Sequence, residues 1–512
     1  MKFSRYSVIL VFFLVSVAVG CGCEKSASRS DDTKNIPLEV DPQELVFESA
    51  SSSTTFTVRS SSKPSVVSSA SWCKSSVGAF AQGQCSVTVD VEENTSTEQR
   101  NAYLSVVCGQ EKVKVTVSQA AAESVEPEDF LVENTPGDNL AWTMAGKLGM
   151  GWNLGNQMDS HSGGVSGETL WGNGKATQET FNSLKAKGFS SVRIPITWMG
   201  HIGDAPEYKL EESWLARVEE LVGYARTAGL YCIINVHHDG ADNNNWLNVK
   251  KASVSSSDYE AITAKFSALW AQIALRFKDY GDFLIFEPFN ELHDGSWGWG
   301  DNRNDGGAQY EVINKWVQVF VDVVRKTGSN NATRFLGIPG YCANPDLTME
   351  YLVLPEDSAE GRLLVAMHCY DPYDYTLECK YDEWGHTAKN NACPYGEKEI
   401  VELLARVKAK YIDKNIPVYF GETGCSNRAT ERQVAFMKYY IEFFCKACKN
   451  YAIAPFYWDN GAVGTGKETS AVLRHTDGEY INNGKVMVEA MSRAISNASG
   501  DYTLRSVYNA AP

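Results

Sequence analysis

Two glutamates, each closing an apolar run, are the residues best placed to do chemistry. Phe283 to Glu291 reads Phe-Leu-Ile-Phe-Glu-Pro-Phe-Asn-Glu, a strand-like stretch ending on the amide of Asn290 and the carboxylate of Glu291. Ile416 to Thr423 repeats the form and delivers Glu422. Cleaving a glycosidic bond needs such a pair, one carboxyl to pass a proton and one to act as nucleophile or to activate water. Other apolar runs also end in polar groups: Asn153 and Asn156, Arg193, His237 and His238, His368 and Tyr370, and Trp458. One polar strand end simply meets water. Repeated at run after run, the feature points to one pole of a parallel barrel, where the βα loops build active sites. Structural readings stand beside these: Arg193 as an ion-pair partner, His238 as a satisfied structural residue, Asn156 as a loop amide. His237-His238-Asp239 has the look of a metal site but lacks helical i, i+4 spacing and an evident third ligand, so neither metal nor cofactor is expected.

The elements that must hold these residues follow from periodicity. Beyond residue 137, apolar runs alternate with amphipathic stretches, the texture of a parallel α/β fold. The predicted strands are Leu148–Asn156, Ser191–Thr197, Tyr231–His238, Phe283–Glu291, Arg334–Tyr341, Leu363–Tyr370, Pro417–Glu422 and Ala454–Asn460. Helices such as Trp214–Ala228 and Tyr259–Phe277 lie between them, so 138–512 is expected to form a (β/α)8 TIM barrel with enlarged loops. Residues 37–120 alternate apolar with polar between Ser-rich turns, which predicts a small antiparallel immunoglobulin-like sandwich with Trp72 in its core. Residues 121–137, Glu-rich with Pro127 and Pro136, read as a linker.

Composition sets the outer limits. A formal charge of −16 over 512 residues argues against a nucleic-acid partner, which demands cationic patches. The 13 Trp and 24 Tyr suit stacking against sugar rings, although core packing also consumes aromatics. Residues 1–20 read as a signal peptide: Lys2 and Arg5, an apolar Val8–Val19, then small residues. Ala18-Val19-Gly20-Cys21 resembles the lipobox of bacterial lipoproteins, with Cys21 as the acylated residue and Cys23 the competing choice. A polar tether over 21–36 follows, so the protein is expected on the outer membrane, held by a lipid and facing outward, as a monomer. The other cysteines show no repeated framework, and Cys445-x-x-Cys448 has no second pair, so buried free thiols are expected.

As a set, the strand-end motifs resemble glycoside hydrolase family 5. They are Gly151-Trp-Asn-Leu-Gly-Asn156, Val192-Arg-Ile-Pro195, Asn235-Val-His-His238, Phe286-Glu-Pro-Phe-Asn-Glu291, His368-Cys-Tyr-Asp-Pro-Tyr373, Gly421-Glu422 and Tyr457-Trp458. Glu168-Thr-Leu-Trp-Gly-Asn173 is similar to the subfamily of endo-β-1,4-glucanases that often accept xyloglucan (subfamily 4), with Gly174 where that subfamily has Pro. The order of strands in 37–120, with Ser71-Trp72 and Val-Thr-Val-Ser-Gln119, resembles the BACON domain. With Trp72 its only Trp and read as buried, a spacer is favoured there over a sugar-binding face. The resemblance implies a retaining endo-β-1,4-glucanase with Glu422 as nucleophile and Glu291 as acid/base. Asn290 would contact the sugar 2-hydroxyl, His237 and His368 would hold sugar or carboxylates, and Trp458 would form the stacking floor. Asn153, Arg193, His238 and Tyr370 would support them. Trp171, Trp297 and Trp299 are candidates for flanking subsites; like Trp246, the latter two lie in Gly/Asn/Asp-rich loops and could instead pack them. The preferred substrate is xyloglucan. The alternatives are a cleaver of mixed-linkage glucan, cellulose or mannan, a non-catalytic glycan-binding lipoprotein, and an adhesin acting through the sandwich.

Overall fold

The computed structural model describes residues 36–94, 98–121, 139–240 and 245–512. The leader, Cys21, the tether as far as Asn35 and linker residues 122–137 lie outside the described residues. What is described forms two compact units.

The N-terminal unit is a sandwich of two four-stranded sheets. One carries Glu39–Asp41, Ser52–Arg59, Gln84–Val91 and Cys73–Val77 in that spatial order, the other Glu44–Phe47, Glu111–Gln119, Arg100–Cys108 and Ser65–Ser68. Period-two patterning turns Phe56, Val58, Val87, Val89, Leu104, Val106, Val115 and Val117 inward. Two expectations are corrected. Glu44–Phe47 runs parallel to Glu111–Gln119, so the sandwich is not purely antiparallel. Trp72 sits in the turn before Cys73–Val77, half-buried at the core's edge, with the Arg100 guanidinium 4.3 Å from its ring centroid.

The C-terminal unit is a closed eight-stranded parallel barrel. We number its strands β1 (Gly151–Leu154), β2 (Ser191–Ile194), β3 (Tyr231–Ile234), β4 (Leu284–Phe286), β5 (Leu336–Pro339), β6 (Leu363–His368), β7 (Val418–Thr423) and β8 (Ala454–Asp459). Buried on both faces, the strands need continuous apolar runs, which is why periodicity found all of them. Alternate residues divide between two cores. Cys232, Ile234, Leu284 and Phe286 meet the surrounding helices, while Ile233, Ile285, Leu364, Ala366, Tyr419 and Phe456 fill the barrel. The helix Leu140–Leu148 adds Ala141, Met144, Ala145 and Leu148 to the interior layer. The strands are shorter than their apolar runs: β4 stops at Phe286 because Pro288 offers no N–H to the ladder, so Asn290 and Glu291 stand on the loop beyond.

Candidate active site

Arg193, wholly buried on β2, organises the upper end of the barrel. Its Nη1 donates to Glu422 Oε1 (2.8 Å) and Asn153 Oδ1 (3.1 Å). Its Nη2 donates to Glu287 Oε1 and Asn290 Oδ1, both at 2.7 Å. Asn153 spends its Nδ2 on the Gly421 carbonyl (2.9 Å), so this buried amide supports the site from within and has nothing left for a sugar. Asn290 differs: Arg193 holds its oxygen and thereby turns its amino group the other way.

Glu287 was not singled out from the sequence. It takes Arg193, Asn235 Nδ2 (2.9 Å) and the Tyr419 hydroxyl (2.6 Å), the last finding room because β5 has Gly337 there, where a Cβ would lie 2.1 Å from that hydroxyl oxygen. A carboxylate inside an apolar strand must find a buried cation, and that was its only sequence signal.

Strict alternation along β7 would send Tyr419 inward, Phe420 outward, Gly421 inward and Glu422 outward. The register shifts instead: Met367 of β6 pairs with Phe420 but His368 with Glu422, leaving Gly421 as an extra residue. This bulge swings Glu422 back into the site. Gly421 is the residue that fits, since a Cβ there would come within 3.2 Å of His368 Nε2.

His368 lies between the two carboxyls, its Nδ1 2.6 Å from Glu291 Oε1 and 3.6 Å from Glu422 Oε2. One oxygen of Glu291 and one of Glu422 lie within 4.8 Å of each other. The Tyr370 hydroxyl donates to Glu422 Oε2 (2.9 Å). Burial and Glu422 push the Tyr370 pKa far up, so it stays a neutral donor. Burial also works against the Arg193 charge, but Glu287 and Glu422 more than offset it and its pKa rises. Arg193 and Tyr370 each act to lower the Glu422 pKa. Burial and repulsion from Glu291 outweigh His368, Arg193 and Tyr370, and the Glu422 pKa is raised. Glu291 is also pushed up by burial, but His368 overrides this and lowers it, while the two carboxylates raise His368 against its burial. The 2.6 Å His368–Glu291 contact is short enough for a proton to pass between the two groups.

His237 and His238 pack edge to face, ring centroids 4.5 Å apart, and His237 lies parallel to Trp458 at 5.8 Å. His238 in turn meets the half-exposed Trp171 ring at 5.5 Å. Trp171, His238, His237 and Trp458 therefore form a continuous strip leading to Glu422. The loop carrying Trp171 is pinned by Glu168, which takes Arg217 Nη2 (2.6 Å) and Nε (2.9 Å), and by Asn173, whose Nδ2 reaches the carbonyls of Asn156 and Asn460. Trp297 and Trp299 are exposed on the loop after β4, Trp297 against His293 and Trp299 beneath Arg303. Trp246 packs its loop instead, half-buried and donating to Asp239 (2.6 Å).

The acidic neighbour of the paired histidines is not Asp239, which accepts from Trp198 N–H and Trp246, but Asp159, 3.5 Å from His238 Nε2. Asp159 joins His237 and His238 as the third donor that the sequence did not reveal. Asp159 accepts the N–H groups of Asn156 and Gln157, and Asn235 Nδ2 meets His237 Nδ1.

A close carboxyl pair bridged by a histidine, with aromatic and imidazole faces alongside, is suited to a polyhydroxylated substrate whose bond breaks by proton transfer. That sets the class: a barrel glycoside hydrolase. The sequence profile of the cellulases, glycosyl hydrolase family 5, matches residues 155–464, and that of the viral BACON domain matches 37–122. The chain belongs to glycosyl hydrolase family 5. The xyloglucan-specific endo-β-1,4-glucanase of Bacteroides ovatus is 32% identical over 462 residues, covering 85% of this chain and 88% of the relative. Among solved structures, a Bacteroidetes-affiliated family 5 cellulase linked with a polysaccharide utilization locus has TM-score 0.72 and 48% identity, covering 73% of this chain and 98% of that one. A broad-specificity subfamily 4 endoglucanase of Bacteroides salanitronis has TM-score 0.69 and 49% identity over 73% and 100%.

Proposed function

We propose that this endo-β-1,4-glucanase cleaves internal bonds of xyloglucan with retention, using Glu422 as nucleophile and Glu291 as acid/base. The observation that carries the mechanism is the carboxyl separation. One oxygen pair within 4.8 Å is closer than the about 6.5–9.5 Å between the carboxyls of inverting enzymes and supports the direct attack made at about 5–5.5 Å. Glu422 attacks the anomeric carbon while the proton of the His368–Glu291 pair passes through Glu291 to the departing O4. Water then gives its proton to Glu291 and attacks the same carbon, freeing Glu422. Neutralising Glu422 in the intermediate removes the repulsion between the carboxyls, which favours an ionised Glu291 for that step. Asn290, with its amino group turned away from Arg193, is the donor to the sugar 2-hydroxyl.

Xyloglucan is supported by the Bacteroides ovatus relative, whose match spans both units, and by exposed Trp171, Trp297 and Trp299. The 49% identical broad-specificity neighbour favours a second reading, in which mixed-linkage glucan and cellulose are cleaved at comparable rates. Viscosity and reducing ends should be followed on xyloglucan, mixed-linkage glucan, soluble cellulose and mannan, with Glu422→Ala alongside. Rapid viscosity loss fastest on xyloglucan and absent in the variant supports the proposal; equal rates on all three glucans favour the second reading, and mannan preference overturns both. Cys21 is proposed as the lipid anchor to the outer membrane, and Cys21→Ser should release the protein from membranes.

A further inference from the structure

The residue two positions before His237 sets which nitrogen of that ring carries the proton. Asn235 is wholly buried and its amide orientation is fixed by two partners of opposite demand. Its Oδ1 accepts the Ile196 N–H (3.2 Å), and its Nδ2 donates to Glu287 Oε1 (2.9 Å). A flipped amide would face donor with donor and oxygen with carboxylate. With the amide locked, the same Nδ2 meets His237 Nδ1 at 3.2 Å. An amino group facing a ring nitrogen requires a lone pair there, so the proton of a neutral ring belongs on Nε2. Nε2 lies 3.9 Å from Glu422 Oε1.

We propose that Asn235 is a positioning residue that holds His237 as its Nε2–H tautomer, presenting an N–H to the Glu422 carboxylate and to the sugar hydroxyls bound beside it. The opposite tautomer would turn a lone pair toward a carboxylate that must become anionic, and would remove a donor from the substrate. Glu287 thus has two tasks: it balances Arg193, and through Asn235 it fixes the ring that borders Glu422. The consequence for turnover rests on the catalytic reading above; the tautomer itself does not.

The test is long-range ¹H–¹⁵N correlation on histidine-labelled full-length protein, with His237 assigned by its loss in His237→Gln. The expected result for the parent protein at neutral pH is the Nε2–H pattern without substrate. Asn235→Ala should give a mixture or the Nδ1–H form, and kcat/KM on a soluble glucan should fall about tenfold, the loss of one buried hydrogen bond. Tyr419→Phe removes a different donor from Glu287 and should leave the His237 pattern unchanged. An Nδ1–H or doubly protonated ring in the parent protein overturns the proposal, even if Asn235→Ala does not fold. So does an unchanged pattern in Asn235→Ala, or the same change in Tyr419→Phe. Because the spectra are read without substrate, inactivity on every glucan would defeat the catalytic reading while leaving this one standing.

Discussion

At the scale of single residues, the site is a balance between one buried cation and the carboxylates around it. Glu287→Gln would leave Arg193 short of its nearest counter-charge, and breaking a buried pair in this way costs about 3–5 kcal/mol. The melting temperature should drop by about 5 °C or more, read by calorimetry; an unchanged value would mean that Glu422 alone suffices for Arg193. His368 gives a pH prediction. Glu422 must be ionised to attack and sits above the usual carboxylate range, so the acid limb of kcat/KM should report it. His368→Asn removes a positive charge that lowers Glu422, so that limb should move to higher pH and activity should fall more at pH 5 than at pH 7. A limb that stays put or moves down would contradict the assignment. Glu291, Glu422, His368 and Tyr370 were legible in the sequence because each ends or caps an apolar run, and Arg193 because it is a charge within one. Glu287, Asn235 and Asp159 were not. The contacts that tie them to the site, Arg193 and Tyr419 for Glu287, Ile196 and Glu287 for Asn235 and His238 for Asp159, lie far along the chain, and nothing local reveals them.

At the scale of elements, continuous burial made the eight strands legible, and the bulge escaped notice although its glycine was in plain view. A glycine inside an apolar strand is the usual mark of a bulge or a close approach, and Gly421 is both. Gly421→Ala should push His368 away from its place between the carboxyls. The expected outcome is about a tenfold loss in kcat with KM nearly unchanged, since misplacement at the reacting centre affects the chemical step. A KM effect alone would mean that the bulge serves binding. The strand ends were overextended in the sequence reading because apolar character continues past the prolines that close the ladder, as at Pro288.

At the scale of the whole molecule, the sandwich and the barrel have separate cores, built from different periodicities. The sandwich presents half-exposed Tyr103, but the Lys114 ammonium lies 4.7 Å from its ring centroid, and Trp72 is covered by Arg100. Neither ring is an open platform for sugar. Residues 124–512 alone should therefore hydrolyse soluble glucan with unchanged kcat/KM, while a fall of several-fold would give the sandwich a part in substrate capture. Alternation made a strand sandwich readable, but not the short strands Glu39–Asp41, Ser65–Ser68 and Cys73–Val77, nor the parallel pairing of Glu44–Phe47, since period two is the same in either direction.

Retaining cleavage through Glu422 requires that this residue become covalently bound to sugar. The most direct measurement is the mass of the protein, and then of its peptides, after incubation with an activated 2-deoxy-2-fluoro cello-oligosaccharide, which slows breakdown of a glycosyl-enzyme. One sugar per chain is expected, carried on the peptide containing Glu422 and absent in Glu422→Gln. Stoichiometric label on Glu291, or hydrolysis of the reagent with inversion and no adduct, would contradict it.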